Sequence, residues 1–328
     1  MGDVAMCVPV LLAFKRANPQ VELVTLSRKR TNYILQQISG IRVLEARVLD
    51  VHRGIAGIFK LSRELRKHKI TAIADLHNVL RSKLLRFFMA STKKAALDKG
   101  RSQKKRLVND PNFFEQLQHT TQRYVDVFRQ LGYKLDLSDT DVLPKIPLEN
   151  EITKILGVSS VKKIGIAPFA AHAPKSLTET RAAALIAAIS ELPEIQVVLF
   201  GGGTQEIALL EKLATAAVNV ISLAGKTTFT AELSAISNLD CMIAMDSGNG
   251  HLAAMYGVPV VTIWGNTHPY AGFAPYGQPS ENQVTVNREQ FPLIPTSIFG
   301  NREIQGYTNA TDSFDMQQVI GRVKAILG

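Results

Sequence analysis

Apolar residues follow two alternating periodicities along most of the chain, and this pattern predicts the secondary structure. Short runs rich in β-branched residues have the length of buried strands, and the segments between them repeat apolar positions at helical spacing. The predicted strands span residues 21–26, 43, 48–51, 70–76, 164–169, 195–200, 220–223, 241–245 and 258–264. The predicted helices span residues 4–18, 31–38, 58–68, 113–131, 178–192, 204–217, 229–239, 252–256 and 314–327. Strands that alternate with helices in this way favour an α/β fold built from parallel βαβ units.

The stretch 241–265 carries the most informative chemistry in the chain. Two strand-length runs enclose the turn Asp246-Ser-Gly-Asn-Gly-His251 and a short helical pattern. Parallel α/β sheets bind ligands at the carboxyl ends of their strands, where Asp246 would lie. The glycines would let a phosphate approach the N–H groups of the helix N-terminus, with Ser247 and His251 beside it. The alternative interpretation makes Ser247 only a helix cap and His251 only a packed side chain.

Other predicted strands of the second half also end in polar or glycine-containing turns, which a parallel sheet would bring to one edge. These turns comprise residues 170–175, 201–206, 224–228 and 265–269. Lys175, with the glycines and the helix N-terminus, indicates a nucleoside diphosphate site, and a solvated lysine is the alternative. The phosphate-binding pattern GxxxxGK[ST] is absent. Asp139 and Asp141 resemble a carboxylate pair for Mg²⁺, but their position in a predicted linker, 134–150, favours coincidence.

The composition is that of a globular protein of about two domains, with 328 residues, 46% hydrophobic and 20% charged. We place the domains at 1–150, including the linker, and at 151–328, and the last helix is a candidate to pack back on the first domain. We find no run of 18 apolar residues and no secretory signal pattern. Two cysteines, Cys7 and Cys241, lie in apolar surroundings, which favours a reducing compartment over a disulfide or a cysteine-based metal site. We therefore expect a cytoplasmic location.

Charge is unevenly distributed, and the asymmetry predicts a polyanionic partner for the first part of the chain. Residues 1–110 contain 23 Lys and Arg against 8 Asp and Glu, a net +15, whereas the remainder has 15 basic and 20 acidic residues, a net −5. Nucleic acid, an anionic membrane surface and a phosphorylated glycolipid all meet this requirement. The most basic stretch, 81–106, favours an anion-contacting surface that includes Arg81, Lys83 and Arg86, against the alternative of an ordinary solvated face.

Several motifs resemble those of glycosyltransferase family 9, the heptosyltransferases that transfer heptose from ADP-heptose to the lipopolysaccharide inner core. The turn at Asp246 continues into Leu-Ala-Ala, and residues 258–269 read Val-Pro-Val-Val-Thr-Ile-Trp-Gly-Asn-Thr-His-Pro. The likeness covers nearly the whole chain, with further matches at Gly2-Asp3-Val4, at Asp75-Leu-His-Asn-Val-Leu-Arg-Ser and at Pro168-Phe-Ala-Ala. It implies the GT-B architecture, in which two Rossmann-like domains face a cleft and the C-terminal domain binds the donor. It also implies an inverting, metal-independent transferase without a cofactor.

The resemblance implies a role for each matching residue. Asp3 matches the general base, which would accept the proton of the acceptor hydroxyl and contribute roughly 10²–10⁴-fold to the rate. Lys175 would stabilise the charge on the departing diphosphate. The remaining donor-site residues are Ala170, Ala171, Gly202, Glu206 (with Gln205 as the alternative ribose contact), Thr227, Thr228, Asp246, Ser247, Gly248 and His251. The acceptor would be a phosphorylated glycolipid bound through Arg81, Lys83 and Arg86, at the anionic inner face of the inner membrane.

Two departures from the family pattern qualify these expectations. The family follows its lysine with an aromatic residue, often as Lys-x-Trp, whereas this sequence reads Lys175-Ser176-Leu177, so one wall of the donor site differs. The family also has an apolar strand before the Gly-Asp turn, and no such strand precedes Gly2 here. Its loss would leave neighbouring strands with unpaired edges. A late start assignment is the preferred explanation, over a trimmed chain or a degenerate protein.

Three further functions compete with the transferase. A GT-B-fold isomerase of the sugar-nucleotide epimerase kind would act on a sugar nucleotide alone. A catalytically impaired nucleotide-sugar-binding protein would bind the donor without transfer. Nucleic-acid binding is motivated by net charge only, and no recognition motif supports it. The sequence does not name the sugar, the nucleotide, the acceptor or the oligomeric state.

Overall fold

The computed structural model describes residues 1–157 and 160–328 and divides into two compact units. The first unit comprises Met1, Asp3–Arg101 and Gln118–Leu143, and the second comprises Gly2, Ser102–Leu117 and Pro144–Gly328. The sequence suggests a single division at 150/151, whereas the contacts of the chain change unit at 143/144 and also assign residues 102–117 to the second unit. Both units combine parallel strands with helices, so the α/β prediction is confirmed.

A buried helix, α1 (Gly2–Ala17), supplies much of the core of the first unit, as its apolar pattern predicts. The Phe14 ring lies against the rings of Phe128 and Tyr133, with centroids 4.7 and 5.1 Å apart. The helix ends where the side-chain amide of Asn18 donates to the Phe14 carbonyl. The helices that follow are α2 (Lys29–Leu35), α3 (Gly54–Arg66), α4 (Leu80–Phe88), α5 (Arg101–Asn109) and α6 (Thr120–Gln130).

Four short strands form two separate parallel pairs in the described part of the first unit. These strands are β1 (Leu23–Ser27), paired with β2 (Ile41–Glu45), and β3 (Ala72–Asp75), paired with β4 (Lys93–Ala96). The predicted strand at 48–51 is wrong, because the Asp50 carboxylate accepts hydrogen bonds from the Val51 amide and the Arg47 guanidinium and so closes a turn.

Residues 102–117, which belong to the second unit, pack on its segment 270–273. The Phe114 ring lies 4.7 Å from that of Tyr270, centroid to centroid, and the Leu117 amide donates to the Tyr270 carbonyl. Because that amide bonds outside its own segment, it does not continue a helical ladder. The predicted helix at 113–131 therefore begins only at α6. The buried apolar residues of this contact are Leu107, Phe113, Leu117 and Ala271.

A six-stranded parallel sheet forms the core of the second unit. Its strands are β5 (Lys162–Ala167), β6 (Ile195–Leu199), β7 (Val220–Ser222), β8 (Cys241–Met245), β9 (Val260–Trp264) and β10 (Gln283–Thr285). Their spatial order is β10-β9-β8-β5-β6-β7. The chain builds outward from β5 through β6 to β7 and then continues on the other side of β5 with β8. The strand order therefore reverses between β5 and β8, which is where sheets of this kind bind ligands.

Helices flank this sheet in the βαβ alternation that the sequence predicts. They are α7 (Asn150–Leu156), α8 (Glu179–Ser190), α9 (Thr204–Ala214), α10 (Phe229–Ser237), α11 (Gly248–Ala254) and α12 (Met316–Leu327). The last helix, α12, contacts α8, β8 and β9 within its own unit. No helix in the described ranges has both the length and the apolar character that crossing a membrane requires.

Candidate functional site

An ion pair lies at the switch point of the large sheet, between the loops that follow β5 and β8. The Lys175 ammonium lies 3.2 Å from Asp246 Oδ2, and the two side chains are 13% and 11% exposed. The Thr267 hydroxyl, from the loop after β9, donates to the same oxygen at 2.9 Å. Three neighbouring strands therefore deliver one cation, one carboxylate and one hydroxyl to a single point.

The loop that carries Lys175 is closed by its own hydrogen bonds. Ser176 Oγ accepts from the Ala170 amide at 2.9 Å and also lies 3.2 Å from the Ala170 carbonyl oxygen. Residues Ala173–Lys175 form a single 3₁₀ turn, and Ala171 is exposed on the same loop. Leu177, at the position of the family's aromatic residue, is buried in the core of the second unit.

Ser247 is the N-cap residue of α11, but its side chain makes no cap hydrogen bond. Its hydroxyl oxygen is buried and has no hydrogen-bond partner within residues 1–157 and 160–328. The alternative interpretation, a simple helix cap, is therefore wrong for this hydroxyl. Gly248 begins the helix, and His251 lies buried one turn further on. The hydroxyl is therefore a polar group beside Asp246 that a ligand or a water molecule can satisfy.

Glu206 lies in the first turn of α9, behind the triple glycine. The Glu206 carboxylate packs against Gly201. Burial raises the pKa of Glu206, and a hydrogen bond from the Gly202 amide partly offsets that rise. A half-buried carboxylate that accepts hydrogen bonds at the end of β6 suits a ligand with paired hydroxyl groups.

Two of the predicted donor-site residues, Thr227 and Thr228, lie in the loop that follows β7. Thr228 is the N-cap of α10, where its hydroxyl accepts from the Ala231 amide. The hydroxyl and amide of Thr228 also lie 3.3 and 3.2 Å from Glu151 Oε1. The Thr228 side chain is thus already engaged in the fold, whereas Thr227 next to it has no such cap role.

In the first unit, Asp3 lies exposed in the first turn of α1, and the Cys7 thiol donates to its backbone carbonyl. His77, which follows β3, lies near enough for the charge of Asp3 to affect its pKa. Burial and Lys99 lower the pKa of His77, and the negative charge of Asp3 opposes that shift. Asp3 is therefore an exposed carboxylate whose charge acts on the His77 imidazole.

The three basic residues predicted to bind an acceptor differ in their surroundings. Arg81 and Lys83 are exposed on α4. Arg86 is not free: its Nε lies 2.9 Å from the buried Asp75 carboxylate, and its Nη2 donates to Asn78 Oδ1. Arg86 therefore anchors α4 to the loop after β3.

Asp141, one member of the Asp139–Asp141 pair, has a structural role. Asp141 is buried and accepts from Arg16 at 2.8 Å, and it also accepts from the Ser138 amide. Within the described residues, no cluster of three or more His, Cys, Asp and Glu side chains is placed to hold a metal ion.

Sequence reasoning missed Thr267 as a site residue. Its segment, Gly265-Asn-Thr-His-Pro, stands among the motifs that carry the family resemblance, but nothing in the spacing assigns its hydroxyl to Asp246. Only the pairing of β9 with β8 brings the two residues together.

The fold is that of a glycosyltransferase of GT-B architecture, as the following comparisons show. The structure superposes on that of a family 9 glycosyltransferase from Veillonella parvula with a TM-score of 0.77 at 19% identity, covering 100% of this chain and 94% of that one. It also superposes on the Escherichia coli heptosyltransferase WaaC with ADP, with a TM-score of 0.68 at 17% identity, covering 99% and 97%. Residues 58–296 match the model of glycosyltransferase family 9 (heptosyltransferase), and the chain belongs to that family. It is 22% identical over 342 residues to the lipopolysaccharide core heptosyltransferase OpsX of Haemophilus influenzae, covering 99% of this chain and 94% of that protein.

Proposed function

We propose that this glycosyltransferase moves heptose, or a related sugar, from a nucleotide-diphosphate sugar to lipopolysaccharide core or a related surface glycan. ADP-heptose is the proposed donor. The observation that carries the proposal is the Lys175–Asp246 ion pair at the switch point of the sheet. The similarity to OpsX and to WaaC, whose structure was solved with ADP, supports this choice of substrates.

The second unit is proposed to bind the donor. The Lys175 ammonium would contact the diphosphate, and the buried Ser247 hydroxyl would donate to the same group. Asp246 would accept from a sugar hydroxyl with Oδ1, while Thr267 and Lys175 hold Oδ2. Glu206 would accept from the ribose. The backbone at Ala170, Ala171, Gly202 and Gly248, with Thr227, Thr228 and His251, would complete the site.

The chemical step is proposed to be a single displacement. The acceptor hydroxyl oxygen attacks the anomeric carbon, the bond from that carbon to the diphosphate oxygen breaks, and the electron pair leaves with the diphosphate. The hydroxyl proton passes to the Asp3 carboxylate, and the configuration at the anomeric carbon inverts. Lys175 supplies the positive charge that the leaving diphosphate requires, so no metal ion takes part in this scheme.

The exposed face of α4 is proposed to contact the glycolipid acceptor at the anionic inner face of the inner membrane. Arg81 and Lys83 are exposed there, and Leu80 and Phe87 on the same helix are 74% and 73% exposed. Cations beside exposed apolar side chains suit a surface of anionic headgroups over acyl chains. Arg86 would act by holding this helix in place through Asp75.

The test is a transfer assay with ADP-heptose and a heptose-free lipopolysaccharide core, run with and without EDTA. We expect ADP release that depends on the acceptor, a product heavier by one heptose, and an inverted anomeric centre by NMR. Epimer formation or nucleotide release without an acceptor would favour the isomerase instead. ADP binding without transfer to any core acceptor would favour an impaired binding protein. Loss of activity in EDTA that added Mg²⁺ restores would refute metal independence.

A further inference from the structure

The segment 294–314 lies across the loop that carries Lys175. Hydrogen bonds through Asn266 and the Pro174 carbonyl connect the two. The Asn266 carbonyl accepts from the Thr296 amide at 2.9 Å, and the Asn266 amide donates to the Pro174 carbonyl at 3.1 Å. The Thr311 hydroxyl donates to that same carbonyl at 3.0 Å. Pro174, the residue before Lys175, is therefore bonded directly to Thr311 near one end of the segment and, through Asn266, to Thr296 near the other end.

Gly300 lies in the middle of this segment, against the side chain of Lys175. Its φ of +68° lies in the left-handed region, which favours glycine. A Cβ atom on Gly300 would overlap Lys175 Cγ and Cδ and would lie 3.1 Å from Cε. Those atoms belong to the middle of the lysine stem, so relieving the overlap requires a different path for the whole side chain.

We propose that Gly300 is a positioning residue for Lys175. Its bare backbone forms the surface along which the lysine stem runs, and this contact directs the ammonium onto Asp246 rather than into solvent. The proposal rests on the proposed function in one respect, that the placed ammonium serves a nucleoside diphosphate. Any side chain at position 300 would move the ammonium without touching the ligand itself.

The first test is a stability cycle without ligand, in which Gly306 supplies a matched control. Gly306 also has a left-handed φ, +83°, but a Cβ on it would meet nothing within 4 Å. We expect Gly300→Ala to lower the melting temperature more than Gly306→Ala. The difference between these two losses of melting temperature should shrink in the Lys175→Ala background, where the overlapping stem is removed. The loss caused by Gly306→Ala should be the same in both backgrounds. A Gly300→Ala protein that folds only together with Lys175→Ala would also support the proposal. The proposal would be overturned if that difference were unchanged in the Lys175→Ala background, or if the double variant Gly300→Ala, Lys175→Ala still failed to fold.

The second test is calorimetry with ADP. Gly300→Ala should raise the Kd about tenfold or more, close to the effect of Lys175→Ala, and should add nothing in the Lys175→Ala background. Gly306→Ala should leave the Kd within about twofold, since surface changes away from a site have small effects. If Gly300→Ala binds ADP as Gly306→Ala does while Lys175→Ala binds weakly, the positioning role is wrong. If Lys175→Ala itself binds ADP normally while the stability cycle shows coupling, the packing holds and the proposed diphosphate contact fails.

Discussion

Replacement of Lys175 by methionine separates the charge of this residue from its bulk. Methionine keeps most of the stem on Gly300 but removes the ammonium 3.2 Å from Asp246 Oδ2. At an effective dielectric constant of about 20, a pair at that separation interacts by roughly 5 kcal/mol before desolvation is subtracted. The loss of one member of a fully buried pair costs about 3–5 kcal/mol. Both side chains keep some solvent contact and Thr267 still donates to Asp246, so we expect a loss of stability of about 1–3 kcal/mol.

The effect on ligand binding should be of similar size, because the proposed function makes the ammonium a direct contact of the diphosphate. A hydrogen bond to a charged group contributes roughly 1.5–3 kcal/mol, which raises the Kd for ADP about 10- to 150-fold. Calorimetry would give the Kd, and denaturant unfolding would give the stability of the same preparations.

A second substitution distinguishes the two effects. In the double variant Lys175→Met, Asp246→Asn no unpaired charge remains, and we expect most of the lost stability to return while ADP binding stays weak. An unchanged Kd for ADP in Lys175→Met, together with reduced stability, would refute the reasoning. Lys175 would then be only the structural partner of Asp246.

Three other changes test the remaining parts of the proposal. Burial raises the pKa of Glu206 above its unfolded value of about 4.3, so stability is lost as pH rises from that value through the raised folded value. Glu206→Gln should therefore raise the melting temperature at pH 7, lose that gain below about pH 4, and weaken ADP binding. An equal gain at pH 4 and pH 7 would contradict this. Asp3→Asn should reduce turnover by roughly 10²–10⁴-fold with the Kd for ADP unchanged, and rapid turnover in that variant would exclude Asp3 as the base. Neutralising Arg81 and Lys83 together should raise the acceptor KM and weaken binding to anionic liposomes. Added salt should have the same effects on the unmodified protein, because charges at the surface are screened over about 10 Å at 0.1 M. A rise in the donor KM instead would count against the acceptor role.

The second unit could be read from the sequence more completely than the first. Its central strands β8 and β9 are buried on both faces, so they appear as continuous apolar runs, and β8 has the predicted bounds, Cys241–Met245. β4 escaped prediction because Lys93 and Lys94 occupy two of its four positions. Its pairing with β3, rather than any local preference, makes it a strand.

Some features of the site could likewise be predicted from the sequence, and others could not. The position of Lys175 and Asp246 in strand-end loops was predictable, since parallel strands bring their carboxyl ends to one edge of a sheet. That Arg86 binds the buried Asp75 was not, because nothing in the basic pattern separates a bound arginine from a solvated one. The contact of Gly300 with Lys175 joins positions far apart in the chain and follows only from the folded backbone.

The assignment of residues 102–117 to the second unit means that this unit is discontinuous in sequence. A fragment cut at Pro144 would contain the whole six-stranded sheet but would lack the residues that cover Tyr270 and Phe273. In the intact chain Phe114 lies on Tyr270, and the Lys104 ammonium lies 3.9 Å from the centre of the Phe273 ring. A chimeric enzyme that exchanges residues 144–328 alone would combine the segment 102–117 of one protein with the Tyr270 and Phe273 surface of another. Such a design must transplant both pieces, or it leaves an aromatic patch open to solvent and to aggregation.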